Sequence, residues 1–332
     1  MTDLKFDVAG IGNAIVDVIA EADDNFLVAN DIQKGGMTLI DADGAEALYA
    51  KMPAGIEMSG GSCANPIAGI ASLGGTGCFF GKVRNDQLGD VFTHDIRSLG
   101  VNFQSKPATD GPSTARCLIV VTPDAQRSMS TYLGACAGLG PDDVDTDLVK
   151  ASAITYMEGY LWDPPEAKKA FLKAAEAAHK ADRLVSLTLS DSFCVDRYRD
   201  EFRKLAKEEV DLLFANETEI LSLYETEVFD EALQKVLKDC KFAALTRSEQ
   251  GSVIVANGEV HVVDADKVSA VKDTTGAGDL YAGGFLFGLA RGFDPVTCGR
   301  LGSMAAAEAI SHYGARPQAN LKDLAKSKGL VK

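Results

Sequence analysis

Apolar and polar positions alternate along this chain in two rhythms. Phe6 to Ile11 reads as a buried strand closed by Gly12-Asn13, strand character resumes from Val16 to Ile19, and Met37 to Ile40 is another short strand. Helical spacing follows over Asp43–Lys51, Asn65–Leu73 and Leu88–Leu99, with a short strand at Cys78–Gly81. Ala115 to Thr122 is continuous β-branched and apolar material. It turns at Pro123-Asp124-Ala125-Gln126 and returns through Arg127 to Leu133, which predicts a hairpin. Beyond Gly138-Leu139-Gly140-Pro141 the alternation becomes regular. Strands are expected at 154–157, 184–189, 212–215, 242–246, 252–256 and 260–263, and helices at 165–180, 198–207, 217–223 and 230–237. Asn257-Gly258 is a two-residue hairpin turn. Strands alternating with helices predict an α/β fold whose mostly parallel sheet is covered on both faces.

Composition narrows the function classes. The 332 residues are 46% hydrophobic and 24% charged, enough for one large domain with an appendage or for two domains. A net charge of -15 disfavours nucleic acid and anionic membrane surfaces as partners. Seven scattered cysteines without a CxxC pair, and four dispersed histidines without HExxH, argue against a disulfide framework and a zinc site. The N-terminal residues show no basic region followed by an apolar stretch, and no apolar run approaches the roughly 20 residues of a membrane helix. The expectation is a reduced, soluble, cytoplasmic protein, whose oligomeric state is left open as monomer or homodimer.

The chemistry concentrates in Asp273-Thr274-Thr275-Gly276-Ala277-Gly278-Asp279, followed directly by the apolar run Leu280 to Leu289. The N–H groups of Gly276, Ala277 and Gly278 would lie unpaired at a helix N-terminus, whose partial positive charge attracts a phosphate. Asp279 is out of place beside an anion unless it takes a proton. It suits a base that strips a hydroxyl while a phosphoryl group arrives on that oxygen. A glycine-rich turn with a helix-capping Asp is the plainer alternative. Other nucleotide motifs fail: Gly10-Ile11-Gly12 has Ile15 where a third glycine belongs, and Gly81-Lys82-Val83 lacks both the hydroxyl residue and, at Thr76, the first glycine of a P-loop.

Two further stretches accompany this one. Ser59-Gly60-Gly61-Ser62-Cys63-Ala64-Asn65 lies near the N-terminus, and Asn216-Glu217-Thr218-Glu219 follows the apolar run Leu212 to Ala215. In this order and at these separations the three resemble the phosphofructokinase-B carbohydrate-kinase family, also called the ribokinase family, over nearly the whole chain. The resemblance implies a ribokinase-like three-layer α/β/α fold. A large domain would comprise 1–15, 41–105 and 135–332, and a small β-rich lid 16–40 and 106–134. Substrate would lie between lid and sheet at the carboxyl ends of the strands. It also implies ATP and Mg2+, and K+ as a candidate monovalent cation.

Site residues follow from the matching positions. Asp17 would accept from two vicinal hydroxyls, with Asn13 beside it, although a turn Asn and a strand-end Asp are also ordinary. Gly60 and Gly61 would let the backbone approach a sugar ring, and Asn65 would bond a hydroxyl. Asn216 and Glu219 would order hydrated magnesium and the ATP phosphates, Glu219 through water; an N-cap with an acidic first turn explains the same letters. Thr246, Arg247 and Gly251 match the family's nucleotide contact, with Ser248 where the family has Gly. Asp273 with the backbone of Thr275 resembles its monovalent-cation site, or else Asp273 is a structural cap.

The acceptor is decided by apolar content. Ile15, Met129, Leu133 and Tyr160 would give a base its apolar faces, which a simple sugar does not need, though each could equally be core. With Gly10-Ile11-Gly12-Asn13 leading to Asp17, and Arg127 on the lid strand where it could fold onto the phosphate, the pattern is similar to the adenosine-kinase subgroup. Phosphorylation of a ribonucleoside 5′-hydroxyl, adenosine to AMP, is the first reading. A sugar kinase for ribose, fructose or a ketogluconate is the second, and a non-catalytic binding protein of the same fold the third.

Overall fold

The computed structural model describes residues 3–124 and 126–332; Ala125 of the hairpin turn and the first two residues of the N-terminal stretch lie outside them. The elements in order are β1 (Phe6–Ile11), β2 (Ile15–Glu21), α1 (Asp24–Ala29), β3 (Met37–Leu39), α2 (Ala42–Tyr49), β4 (Ile56–Gly60), α3 (Ala64–Ser72), β5 (Gly77–Phe80) and α4 (Gln87–Ser98). Then come β6 (Ala115–Val121), β7 (Arg127–Tyr132), α5 (Thr146–Lys150), β8 (Ser152–Glu158), α6 (Pro165–His179), β9 (Leu184–Thr188), α7 (Ser192–Glu208), β10 (Leu212–Asn216), α8 (Glu217–Tyr224) and α9 (Phe229–Asp239). The chain closes with β11 (Phe242–Thr246), β12 (Ser252–Ala256), β13 (Glu259–Val263), α10 (Ala277–Ala290), α11 (Pro295–Ala309) and α12 (Leu321–Ser327).

Eight strands form one sheet in the order β13-β12-β11-β10-β9-β8-β1-β5. From β5 to β11 every pairing is parallel, and β12 and β13 close the edge antiparallel. Asn257 and Gly258 both have positive φ, 51° and 84°, as the tight hairpin turn requires. Strand residues alternate between the two faces. Val8, Leu212 and Phe214 pack into a core with α3, α4, α10, α11 and α12, while Ala9, Ile11, Leu213 and Ala215 pack into a second core with α5 to α9. The result is the expected three-layer α/β/α arrangement.

Five strands, β3-β7-β6-β2-β4, make a second sheet. Its outer face carries its own small core. Val18 and Leu118 pack with Leu48 of α2, and Phe26, Ile32, Ile40 and Met52 close around them. Its inner face turns Asp17, Cys117, Ile119 and Met129 toward a cleft. Sheet membership differs here from the expected boundaries. β4, from the stretch 41–105 assigned to the large domain, pairs antiparallel with β2, and α2 packs on β6 and β7. The chain that leaves the large sheet after β1 returns only through β4, so the crossover point is Gly60-Gly61 rather than residue 41.

Helix starts were the weaker expectations. α7 begins at Ser192, not Tyr198, because Asp191 caps it by accepting from Cys194 N–H, and Tyr198 marks a kink inside it. α11 went unassigned although Asp294 caps it and Pro295 opens it. All seven cysteines are buried and free, and among the described residues no helix is long and apolar enough to cross a membrane.

Candidate active site

A cleft of about 1380 Å³ runs between the two sheets, past the carboxyl ends of the central strands of the large sheet, to the N-terminus of α10. The parallel sheet dictates this position, since its strands release their loops on one edge.

At one end β2 presents Asp17, only 6% exposed, into the cleft. Gly60 is what makes room for it. A Cβ there would stand 2.1 Å from Asp17 Oδ2, so Gly60 serves the carboxylate and lies behind the cleft wall. Gly61, at φ 102°, lines the cleft. Burial pushes the Asp17 carboxyl up to about 7, against the pull of Arg316 and Arg127 and with a further push from Asp279. Asn13 follows β1 and donates from N and Nδ2 to the Glu158 carboxylate, at 3.1 and 2.5 Å. Glu158 ends β8, takes Cys63 N–H as well, and is raised to about 7 by burial.

Around this polar end stands an apolar wall. Ile15, Met37, Leu39, Ile119, Met129 and Leu133 line it from the second sheet and its margins, and Tyr160, from the loop after β8, also lines the cleft.

The turn into α10 follows the expected pattern. Gly276 is the N-cap residue at φ 74°, and Ala277, Gly278 and Asp279 are the first three helical residues, whose N–H groups have no full intrahelical partners. An alanine at Gly276 would strike Ala315, whereas a Cβ at Gly278 meets nothing within 4 Å. Asp279 is held from both sides. Ser62 Oγ donates to Oδ1 and Asn65 Nδ2 to Oδ2, each at 2.8 Å. Its carboxyl is raised by burial and pulled down by these two bonds and by Arg127 and Arg316. Asn65, expected to bond a substrate hydroxyl, thus spends its amide N–H on Asp279, and its buried Oδ1 is without a partner.

Asp273 is fully buried. Oδ1 accepts from Thr275 N and Oγ1, Oδ2 from Gly314 N, and Arg127 Nε lies 3.7 Å from Oδ1. Through these bonds Asp273 ties the anion turn to the C-terminal loop.

At the other end Asn216 and Glu219 form a reciprocal capping box at the start of α8. Glu219 Oε1 and Oε2 accept from Asn216 Nδ2 and N at 2.6 and 2.9 Å, and burial raises Glu219 to about 7. Both residues line the cleft, with Thr246 and Gly251. Arg247 does not. Its guanidinium donates to Glu217 at 2.9 Å and lies 4.0 Å over the Phe229 ring. Ser248 holds φ 50°, a conformation glycine adopts at less cost.

Three site residues escaped the sequence reading as partners of the chemistry: Ser62, Glu158 and Arg316. Ser62 is a letter of the 59–65 stretch to which the sequence assigns no role, and Glu158 directly follows the strand expected at 154–157. Arg316 carried no signal, because its neighbours are supplied by segments some 250 residues earlier.

The pfkB family carbohydrate kinase model matches residues 32–322. Adenosine kinase from Saccharomyces cerevisiae is 27% identical over 327 residues, covering 92% of this chain and 94% of that one. Two crystal structures superpose over nearly the full length. Adenosine kinase from Sinorhizobium meliloti is 55% identical with a TM-score of 0.94 and coverage of 98% and 99%. A protein from Rhizobium etli described as a probable sugar kinase is 53% identical with a TM-score of 0.96 and coverage of 99% and 100%. The chain therefore belongs to the pfkB family of carbohydrate kinases, with the ribokinase-like fold, and is an ATP-dependent kinase that phosphorylates an alcohol on a small molecule.

Proposed function

We propose that the protein transfers the γ-phosphoryl group of ATP to the 5′-hydroxyl of a ribonucleoside, adenosine to AMP. The observation that carries this reading is the apolar wall beside a buried carboxylate, in a cleft that Tyr160 also lines. A free sugar would leave Ile15, Met37, Leu39, Ile119, Met129 and Leu133 facing its hydroxyls. A purine covers such a surface, while its ribose reaches the polar end. The names of the Sinorhizobium meliloti and Saccharomyces cerevisiae relatives point the same way.

In this reading Asp17 accepts from the 2′- and 3′-hydroxyls, which desolvate it further but supply two donors. Asn13, oriented by Glu158, lies beside them. The 5′-hydroxyl comes to Asp279, whose burial raises its affinity for a proton, the property a base needs. Ser62 and Asn65 fix the carboxylate's orientation and each oxygen retains a lone pair for the substrate. The N–H groups of Gly276, Ala277 and Gly278 receive the transferring phosphate, with Arg127 adding positive charge from the second sheet. That sheet acts as a lid, and its closure excludes the water that would otherwise accept the phosphoryl group.

The acidity of the cleft favours a divalent cation beside an anionic donor, since Asp17, Glu158, Glu219, Asp279 and four further acids line it against Arg127, Arg197 and Lys267. Among the described residues no three ligating side chains cluster to hold a metal directly. Glu219 and Asn216 fit Mg2+ held through water, because the capping box leaves the carboxylate lone pairs free to accept from coordinated waters. Bound there with the phosphates, Mg2+ would neutralise their charge. Thr246 and Gly251 contact the nucleotide.

A sugar acceptor is the second reading, favoured by the name of the Rhizobium etli relative and by the concentration of hydroxyl-binding groups around Asp17. The test is ATP consumption with adenosine, inosine, ribose and fructose. The highest kcat/KM is expected for adenosine, and faster turnover of ribose or fructose overturns the nucleoside reading. Asp279→Asn should lower kcat by about two or more orders of magnitude while adenosine still binds, and near-normal turnover removes Asp279 as the base.

A further inference from the structure

Arg316 is buried to 9% exposure, yet its three hydrogen bonds go to neutral acceptors. Nε donates to Ser59 O at 2.9 Å, Nη1 to Ala64 O at 2.7 Å and Nη2 to Ser59 Oγ at 3.2 Å. Among the described residues no carboxylate oxygen lies within ion-pair distance of it. Burying a guanidinium on neutral acceptors is expensive for stability alone, since the lost hydration is not repaid by a contacting counter-charge. A neutral side chain would join the same elements at lower cost.

The elements it joins are informative. Ser59 and Ala64 bracket the turn Gly60-Gly61-Ser62-Cys63, which carries the second sheet back to the large one and presents Ser62 to Asp279. Asn65, the other donor to Asp279, follows Ala64 directly. Ser59 is gripped from its other side by Asp95 of α4, which accepts Ser59 N–H at 3.1 Å. Two residues before Arg316, Gly314 N–H bonds Asp273. Ala315 packs on the Gly276 turn so closely that a Cβ there would sit 2.4 Å away. One short loop thus touches both halves of the site, the 59–65 turn and the 273–279 turn.

We propose that Arg316 is a positioning residue for phosphoryl transfer: it locks the 59–65 turn to the 273–279 turn, so that Asp279 and Asp17 are held in register. The inference rests on Asp279 being the base. The charged groups facing the arginine are Asp17 on β2, Asp95 on α4 and Asp279 on α10, with the Cys63 thiol nearby. Arg127 on β7 also acts on both Asp17 and Asp279, and Asp273 on Asp17. Burial lowers Arg316 to about 10, so it remains a cation at neutral pH. Removing its charge takes away an influence that lowers both carboxyls, so their protonation moves to higher pH.

Two variants separate fork from charge. Arg316→Lys keeps the charge and loses the three-point fork. It should lower kcat with adenosine by about 10²-fold through misplacement, while the acid limb of kcat/KM stays where the wild type has it. Arg316→Gln should lose both, with the limb displaced to higher pH. Carboxyl-carbon NMR of protein labelled at aspartate, with Asp17→Asn and Asp279→Asn assigning the signals, reads the same displacement with no substrate present. Unmoved titrations in Arg316→Gln, with activity reduced only in proportion to folded protein in a thermal melt, overturn the proposal. Should Arg316→Gln fail to fold, an Arg316→Lys variant with wild-type kcat does so equally. A fully active Asp279→Asn instead overturns the base assignment, and the NMR titration still reports on Arg316 separately.

Discussion

Gly278→Ala should make this protein more stable and less active. Gly278 is the second residue of α10, its φ is ordinary for a helix, and a Cβ built on it meets no atom within 4 Å. Nothing in the fold therefore requires glycine there. Replacing a helical glycine by alanine gains up to about 1 kcal/mol through the smaller conformational freedom of the unfolded chain. For 332 residues, at roughly 2 cal/mol/K of unfolding entropy per residue, that is about 1 °C in Tm. The open space is the cleft itself, at the helix end expected to receive phosphate. An N–H donor needs its acceptor at about 2.9 Å, and a methyl group beside it holds a phosphate oxygen outside that range. Loss of one such preorganised donor costs about 10²- to 10³-fold in kcat.

The neighbouring glycines make the contrast. Alanine at Gly60 or Gly276 overlaps Asp17 or Ala315 at 2.1 and 2.4 Å, so those variants should lose stability and activity together. Thermal melts of the three proteins without ligand, paired with steady-state kinetics on ATP and adenosine, separate the cases. A Gly278→Ala protein that melts at or above the wild-type temperature but has wild-type kcat refutes the anion-hole assignment. One that melts well below it refutes the claim that the fold leaves this position free.

Two other outcomes follow from the buried acids. Asp17 holding two vicinal hydroxyls makes 2′-deoxyadenosine a poorer substrate by a measurable factor, about 10-fold or more in kcat/KM for a buried carboxylate that loses a donor; equal specificity constants remove Asp17 from the ribose site. Asp17, Glu158 and Glu219 have folded-state values near 7, above their unfolded values, so between about 4 and 7 the folded state binds more protons than the unfolded one. Their contribution to stability is thus fully present below the unfolded values and is lost as pH rises through 7. The ligand-free protein should melt at a higher temperature at pH 6 than at pH 8, and a Tm that climbs steadily from pH 6 to 8 contradicts the assignment.

What the sequence made legible, and what it hid, divides along the range of the interactions. The turn into α10 could be read because all its parts are local: a glycine at positive φ, the first N–H groups of a helix and an acid at the third helical position lie within four residues. Asn216 and Glu219 were legible for the same reason, since a capping box spans only four positions. The Gly60 motif was legible as letters but misread in role. Glycine was expected to admit a sugar, whereas its missing Cβ admits the Asp17 carboxylate, a neighbour that β2–β4 pairing brings from 43 positions away. The outer core of the second sheet, made by α1 and α2 over Val18 and Leu118, was not legible, because α1 is too short to show a period and the helix read at 43–51 does not reveal what it packs on. Arg316 is the extreme case. Its loop has no periodicity, its partners lie at the far end of the chain, and its placement follows only once α11 has carried the backbone back beneath the 59–65 turn. The groups proposed to perform the chemistry are therefore marked by local motifs, while the groups packed around them are brought in by topology. For this protein the second class holds the less obvious part of the mechanism.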